Sequence, residues 1–340
     1  MTALAAPVGL RTPAPRLLRW LVRLHRPALY VWTALVVALA ALLLWLWGPL
    51  TDAAADAWKQ FDACRTEACS YDQASILRYK DVYTYTTYPL LALPFTVAAW
   101  AGASLVGREM EHGTAHLAWT QGVTPVRWLT AKLAAPAVLV TAGTGLLVLL
   151  HRLAWSAGEG RIDTAKPWYS LETFYANGPV PVALALAGLV AGALAGLVLG
   201  RTLAALGTGL AATALLWAGA HLAMPHLWPT VTSVAGLRNN GAPGAGIQVA
   251  SGLLTADGRR IADPYCGTSL ATECSTLYDR LHAVSYYKDF HPASQYWPLQ
   301  FMTAGLLLVA AALLAAVTFR LLRRRTAVAR TVRSREEATV

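Results

Sequence analysis

The sequence predicts an all-α polytopic membrane protein with six transmembrane helices, both termini on the inner side, and a large extracellular loop between helices 5 and 6. Three observations predict it. Of the 340 residues, 56% are hydrophobic and 14% charged, where an average soluble domain carries about a quarter charged residues. Six stretches come close to or exceed the ~20 apolar residues that cross a hydrocarbon core, and none holds Asp, Glu, Lys or Arg in its interior. Basic residues gather at alternate ends of these stretches, as the positive-inside rule requires of a six-span chain. This composition excludes a disordered chain, a fibrous repeat and an ordinary soluble enzyme.

The expected organisation runs as follows. Residues 1–27 are a cytoplasmic N-terminus. Spans 1 to 5 lie within 28–222, at 28–47, 88–107, 133–150, 180–200 and 203–222. Residues 108–132 are an inner segment between spans 2 and 3. An extracellular loop covers 223–295, span 6 covers 296–319, and a basic cytoplasmic tail covers 320–340. The apolar stretch of span 1 is too long for the core of a signal peptide, so it is expected to stay in the chain.

With the N-terminus inside, the inner segments hold 16 basic and four acidic residues, a balance of +12. The outer segments hold 12 basic and 14 acidic residues, a balance of −2. The formal charge of +10 is therefore an orientation signal; nucleic-acid binding would need a folded basic domain, and no inner segment before span 6 is long enough to form one. All four cysteines, Cys64, Cys69, Cys266 and Cys274, fall in outer segments, where disulfides persist. Local pairing of Cys64 with Cys69 and of Cys266 with Cys274 is the simplest of three connectivities; four free thiols is the alternative.

In the N-terminal segment, Pro15 and Pro27 bracket a stretch in which Arg16, Arg19, Arg23 and Arg26 share one helical arc, with Leu17, Trp20, Leu21 and Leu24 opposite. Such a helix lies in an anionic membrane surface; a plain basic flank is the alternative. In the segment 108–132, Gly113 or Thr114 opens a short helix that runs through Gln121, and Gly122 closes it. Thr124 followed by Pro125 caps the next helix, which continues into span 3. A short surface helix is thus slung between spans 2 and 3, with Glu109 and Glu111 at its entry and Leu117 and Trp119 on it. His112 and His116 are four apart, but the metalloprotease pattern needs Glu where Gly113 stands, so no metal site is expected. Span 4 carries Gly188, Gly192, Gly196 and Gly200 at every fourth position, a stripe suited to close packing, most simply against span 5. In the long outer loop, 253–261 with Asp257-Gly258 inside reads as a hairpin, and a loop of this length is expected to fold.

Catalysis is not expected: the spans hold no carboxylate pair, and no nucleophile triad or metal motif can be placed. Ion-coupled transporters keep ionisable residues inside their spans, and here the interiors are uncharged. A phosphate-binding loop of the form G-x-x-x-x-G-K-[ST] needs the dipeptide Gly-Lys, which the chain lacks. ATP and Mg, if used, belong to another chain, and no cofactor is expected on this one.

The same segment carries a resemblance. Glu109, Glu111, Gly113, Thr114 and Lys132 resemble the first cytoplasmic loop of ABC-2 type ABC-transporter permeases. An actinobacterial branch of these is more similar still. It shares L-A-W-T-Q at 117–121, Arg127-Trp128, Lys132-Leu133, the F-x-x-x-G-x-x-P-V-A pattern from Phe174 to Ala183, Arg201-Thr202, and P-A-S-x-x-W-x-x-Q from Pro292 to Gln300. The resemblance implies a permease subunit of an ATP-driven exporter, multi-pass in a bacterial plasma membrane. It implies a homodimer or heterodimer, each subunit touching a separate ABC ATPase through Glu109, Glu111, Gly113, Thr114, Leu117, Trp119, Gln121, Arg127 and Lys132. The rival reading is a non-transport membrane scaffold or receptor that binds a partner through the 223–295 loop. The apolar, uncharged spans favour a lipophilic or amphipathic substrate.

Overall fold

The structure is a computed structural model that describes residues 23, 25–64, 70–239, 241–264 and 271–337. Arg16, Arg19, Cys69 and Cys266 lie outside the described residues.

Within the described residues, six helices are long and apolar enough to cross a membrane: Arg26–Asp62, Gln73–Glu111, Pro125–Gly158, Val180–Leu199, Thr202–His226 and Ala293–Thr326. They carry spans 1 to 6. By element, the chain runs α1 (Arg26–Trp45), α2 (Thr51–Asp62), α3 (Gln73–Trp100), α4 (Arg108–Glu111), α5 (Thr114–Thr120), α6 (Pro125–Gly158), α7 (Leu171–Ala176), α8 (Val180–Leu199), α9 (Thr202–Ala223), β1 (Val231–Gly236), β2 (Ile247–Thr255), β3 (Arg260–Ile261), α10 (Ala271–Arg280), β4 (Ala283–His291) and α11 (Tyr296–Glu337). Two π-helical segments, Leu46–Leu50 and Ala101–Gly107, join α1 to α2 and α3 to α4.

Several helices run past the apolar stretches that announce them. Span 1 continues as the polar α2, and span 2 begins at Gln73, where the Asp72 side chain accepts from the Ser75 backbone N–H at 3.2 Å and caps the helix. Span 3 reaches Gly158, so it includes His151 and Arg152. The connection expected between spans 1 and 2 is therefore largely helical, and that between spans 3 and 4 is helical at its start and in α7. Between spans 3 and 4, Ser170 caps the short α7, which turns inward: Phe174, Tyr175 and Ala176 are buried. The Phe174 carbonyl accepts from Gln300 Nε2 at 2.6 Å, and Asn177 Oδ1 lies 2.7 Å from His151 Nδ1. These bonds pin α7 to spans 6 and 3.

Span 4 is the hub. Two thirds of its apolar window is buried (67%), against 22% for spans 3, 5 and 6 and 17% for span 1. It packs against spans 2, 3, 5 and 6. The glycine stripe explains how, and its partner is chiefly span 2. A Cβ on Gly188 would sit 2.7 Å from the Pro94 carbonyl oxygen, and one on Gly196 would sit 2.8 Å from the Gly107 nitrogen. A Cβ on Gly192 would run into the Ala98 carbonyl. Span 5 closes the third side: Gly102 of span 2 faces the Ala205 carbonyl, and Gly209 faces Ala98 and Gly192. Three backbones meet here, so the packing expected of spans 4 and 5 is a three-helix contact. Gly200 stands apart from it. At φ +59° it ends span 4 in the left-handed conformation, and span 5 starts two residues later.

The loop between spans 5 and 6 is folded. Its four antiparallel strands lie in the order β1-β4-β2-β3. β2 and β3 pair Leu253 with Ile261 and Leu254 with Arg260 around Asp257-Gly258, with Gly258 at φ +79°. The central partner, β4, comes from beyond α10, a non-local pairing that the local pattern did not signal. Leu253, Tyr278 and Ala283 form the small core of this unit. Cys64 and Cys274, the cysteines among the described residues, are not free thiols.

The three-helix contact predicts a contrast. Gly192→Val forces spans 2 and 4 apart and lowers stability by about 1–3 kcal/mol, the usual cost of overpacking. Gly207→Ala, where a Cβ meets open space, leaves stability within about 0.5 kcal/mol. Thermal unfolding of the purified protein in detergent measures both.

Candidate functional site: the segment between spans 2 and 3

Span 2 ends in the π segment Ala101–Gly107, followed by α4. His112 closes α4, its Nδ1 2.9 Å from the Arg108 carbonyl. Gly113 then adopts φ +69° and Gly122 φ +88°. Both glycines meet open space, so the need for glycine is conformational: a side chain is strained in this region of the backbone. Between them lies the short α5. Thr124 Oγ1 accepts from the Arg127 backbone N–H at 3.3 Å, and Pro125 starts span 3.

Beneath α5 sits a buried ion pair. Lys132 is fully buried, and its Nζ donates to Glu109 Oε1 at 2.5 Å and to the Leu105 carbonyl at 2.9 Å. Glu109, 12% exposed, uses its other oxygen to accept from Trp128 Nε1 at 3.1 Å. The Lys132 ammonium also lies 5.6 Å from the centre of the Trp128 ring. Both carboxylate oxygens and two of the three ammonium protons are thus satisfied, the condition under which a charge pair survives burial. His25 Nε2 lies 3.5 Å from Lys132 Nζ, and burial together with that ammonium holds the His25 pKa down to about 4.

Glu111 is used differently. Its Oε2 accepts from the Thr202 backbone N–H at 2.9 Å and from the Thr202 hydroxyl. A carboxylate at the first turn of span 5 is favoured by the exposed N–H groups and by the helix dipole. At the same face, Arg325 of span 6 donates to the Leu197 carbonyl at 2.6 Å and to the Val198 carbonyl at 3.3 Å, capping the end of span 4.

The nine residues singled out in the sequence thus divide. Glu109 and Lys132 are brought together, Glu111 reaches span 5, and Gly113 shapes the turn. Trp119 turns back, its ring 5.7 Å from Trp128 and 4.7 Å from His116. Leu117 faces out and is 58% exposed. Thr114 and Gln121 are exposed, and Arg127 is half-buried. His112 and His116 are exposed at the surface. Trp128, Thr202, His25 and Arg325 were not assigned this part. Trp128 and Thr202 stood in the noted Arg-Trp and Arg-Thr pairs, but their partners are 19 and 91 residues away. Of the basic arc, Arg23 and Arg26 are exposed.

The chain matches the family described as "ABC-2 membrane transporter related" over residues 33–228. Searches of curated proteins and of solved structures find no match. The family match covers more than half of the chain, and it takes in span 1 from residue 33 onward, spans 2 to 5 and the whole 108–132 segment. The chain belongs to this family and is a multi-pass membrane protein.

Removing one partner of a buried pair strands the other's charge. Glu109→Gln and Lys132→Met each lower stability by about 3–5 kcal/mol, and the double variant loses less than the sum, a coupling that a double-mutant cycle of thermal unfolding reads out. Acid acts at the same place. The His25 pKa lies below the ordinary 6.5, so the unfolded form takes up the proton first and stability falls as pH drops from about 6.5 towards 4. Protection of the backbone amides at 25–32, measured relative to their intrinsic exchange rates at each pH, should fall over that range, and His25→Asn should remove the fall.

Proposed function

We propose that this chain is the membrane-spanning permease subunit of an ATP-driven ABC exporter and that a separate ATPase subunit supplies the energy. The observation that supports this most is α5. It presents Leu117 outward between two spans, while the Lys132–Glu109 pair ties the spans on either side together directly beneath it. A load applied to α5 therefore reaches spans 2 and 3 through a rigid buried contact, and through Glu111 it reaches span 5. Such a lever suits a subunit driven from outside its own chain. The absence of Gly-Lys from the sequence fits an energy source elsewhere.

In this reading the N- and C-termini, α5 and the 108–132 segment face the cytoplasm, and the sheet-bearing loop between spans 5 and 6 faces out. The charge balance of +12 against −2 supports that sidedness. The subunits form a homodimer or heterodimer in a bacterial plasma membrane. Cys64 pairs with Cys69 and Cys266 with Cys274 on the oxidising side. The substrate is lipophilic or amphipathic. The folded loop is also what a scaffold or receptor would use to hold a partner; co-purification distinguishes the two readings.

The ATPase that carries the phosphate-binding loop should co-purify with the full chain. Leu117→Asp should cut that retention at least tenfold, about 1.4 kcal/mol, with thermal stability unchanged because Leu117 is exposed. Equal retention by the variant would remove the docking role of α5, and no retained ATPase in the native chain would overturn the permease reading. A cysteine placed at Gln121 should react with a membrane-impermeant thiol reagent in inverted vesicles and not in right-side-out ones.

A further inference from the structure

Span 1 does not lie flush against spans 2 and 3 along its whole length. Its first turns stand away from them and leave a groove of about 530 Å³. Leu35 of span 1, Val97 and Trp100 of span 2 and Val140 of span 3 line its walls, and Leu105 and the stem of Lys132 form its floor. At one end Trp32 lies against span 3, where a Cβ on Gly143 would fall 2.7 Å from the ring. At the other end His25 and Pro27 form the mouth. From Pro27 to Leu35 the groove follows about 12 Å of helix.

Two of the polar groups along it are already engaged. The Thr96 hydroxyl donates to the Leu93 carbonyl at 2.9 Å, and the Lys132 ammonium is held by Glu109 and Leu105. The walls thus offer an occupant chiefly hydrocarbon contact. The mouth differs. The exposed cations Arg23 and Arg26 adjoin His25 in the chain, and Glu109, the carboxylate paired with Lys132 near that end, is already engaged. A hydrocarbon body with an anionic head matches both ends.

From this geometry we infer that the groove binds one acyl chain of an anionic membrane phospholipid, with its phosphate at Arg23 and Arg26. The site differs from a general attraction of basic residues to the bilayer surface, because the chain enters a defined groove between spans 1, 2 and 3. It also touches the lever. The methylenes of Lys132 line the groove while the ammonium holds Glu109, so an occupant packs directly against the lysine. The lipid would stiffen the contact beneath α5. Binding itself does not depend on the exporter reading.

The test is lipid retention by the full chain, purified from bilayers of equal phosphatidylglycerol and phosphatidylcholine and examined by native mass spectrometry. Phosphatidylglycerol should be kept over phosphatidylcholine by about tenfold, as two arginines near an anionic head allow. Ala135→Trp should abolish retention by filling the groove, and Leu139→Trp, at a partly exposed wall position, should reduce it in a chain that still folds. Arg23→Gln with Arg26→Gln should keep a bound lipid but bring the headgroup preference close to one. Equal retention of both lipids by the native chain, or retention that survives both tryptophan variants, would overturn the proposal.

Discussion

Lys132 has no path to water, and much of the N-terminal face follows from that. An ammonium buried without a partner costs several kcal/mol, so the chain must bring a carboxylate and other acceptors to it. Glu109 supplies the carboxylate from the end of span 2, and the Leu105 carbonyl supplies the second acceptor. To reach Lys132, the end of span 2 must stay within one side-chain length of the second turn of span 3. The thirteen residues from His112 to Thr124 must then leave and return within that distance. Two left-handed glycines, Gly113 and Gly122, make the short excursion possible. Thus both ends of α5 are fixed near the bundle, and Leu117 on it is exposed.

The other constraint is steric. Spans 2, 4 and 5 meet through glycine and alanine, so backbone lies against backbone and no side chain can be inserted without pushing the helices apart. This contact and the ion pair are continuous. The π segment Ala101–Gly107 contributes Gly102 and Gly107 to the first and Leu105 to the second. A movement that reaches Glu109 therefore reaches the centre of the bundle through a short, tightly packed stretch. Toward the opposite face the bundle is more polar inside: His151, Asn177, Thr87 and Gln300 are all buried there and hold α7 against spans 3 and 6. Spans that look uncharged in sequence thus enclose an imidazole and a hydrogen-bonded network.

Much of this was legible. The six spans are fixed by charge exclusion, which acts residue by residue and leaves a direct trace. The breaks around α5 were legible because Gly113, Gly122, Thr124 and Pro125 act within a few residues of themselves. Glu109 and Lys132 could each be picked out by resemblance. That they meet each other, and that Glu111 turns to Thr202 instead, was not visible, because these pairs join separate helices whose rotation no local pattern reports. The glycine stripe was visible as a face but not its partner: four aligned glycines state that something approaches closely, not what. The hairpin at 253–261 could be read from its turn, whereas β1 and β4 come together only by long-range pairing.

By itself, then, the sequence determined that this chain is an all-helical membrane bundle, where its spans lie, and where a short helix hangs between spans 2 and 3. Those features depend on hydrophobic burial and on local backbone conformation, which are properties of short stretches. Only the tertiary structure decided that Lys132 is buried against Glu109, that span 2 is the chief partner of the span 4 glycines, that α7 folds back into the bundle, and that an apolar groove opens beside span 1. Each of these rests on the distance and rotation between helices far apart in the chain, and those are set by packing the whole bundle at once.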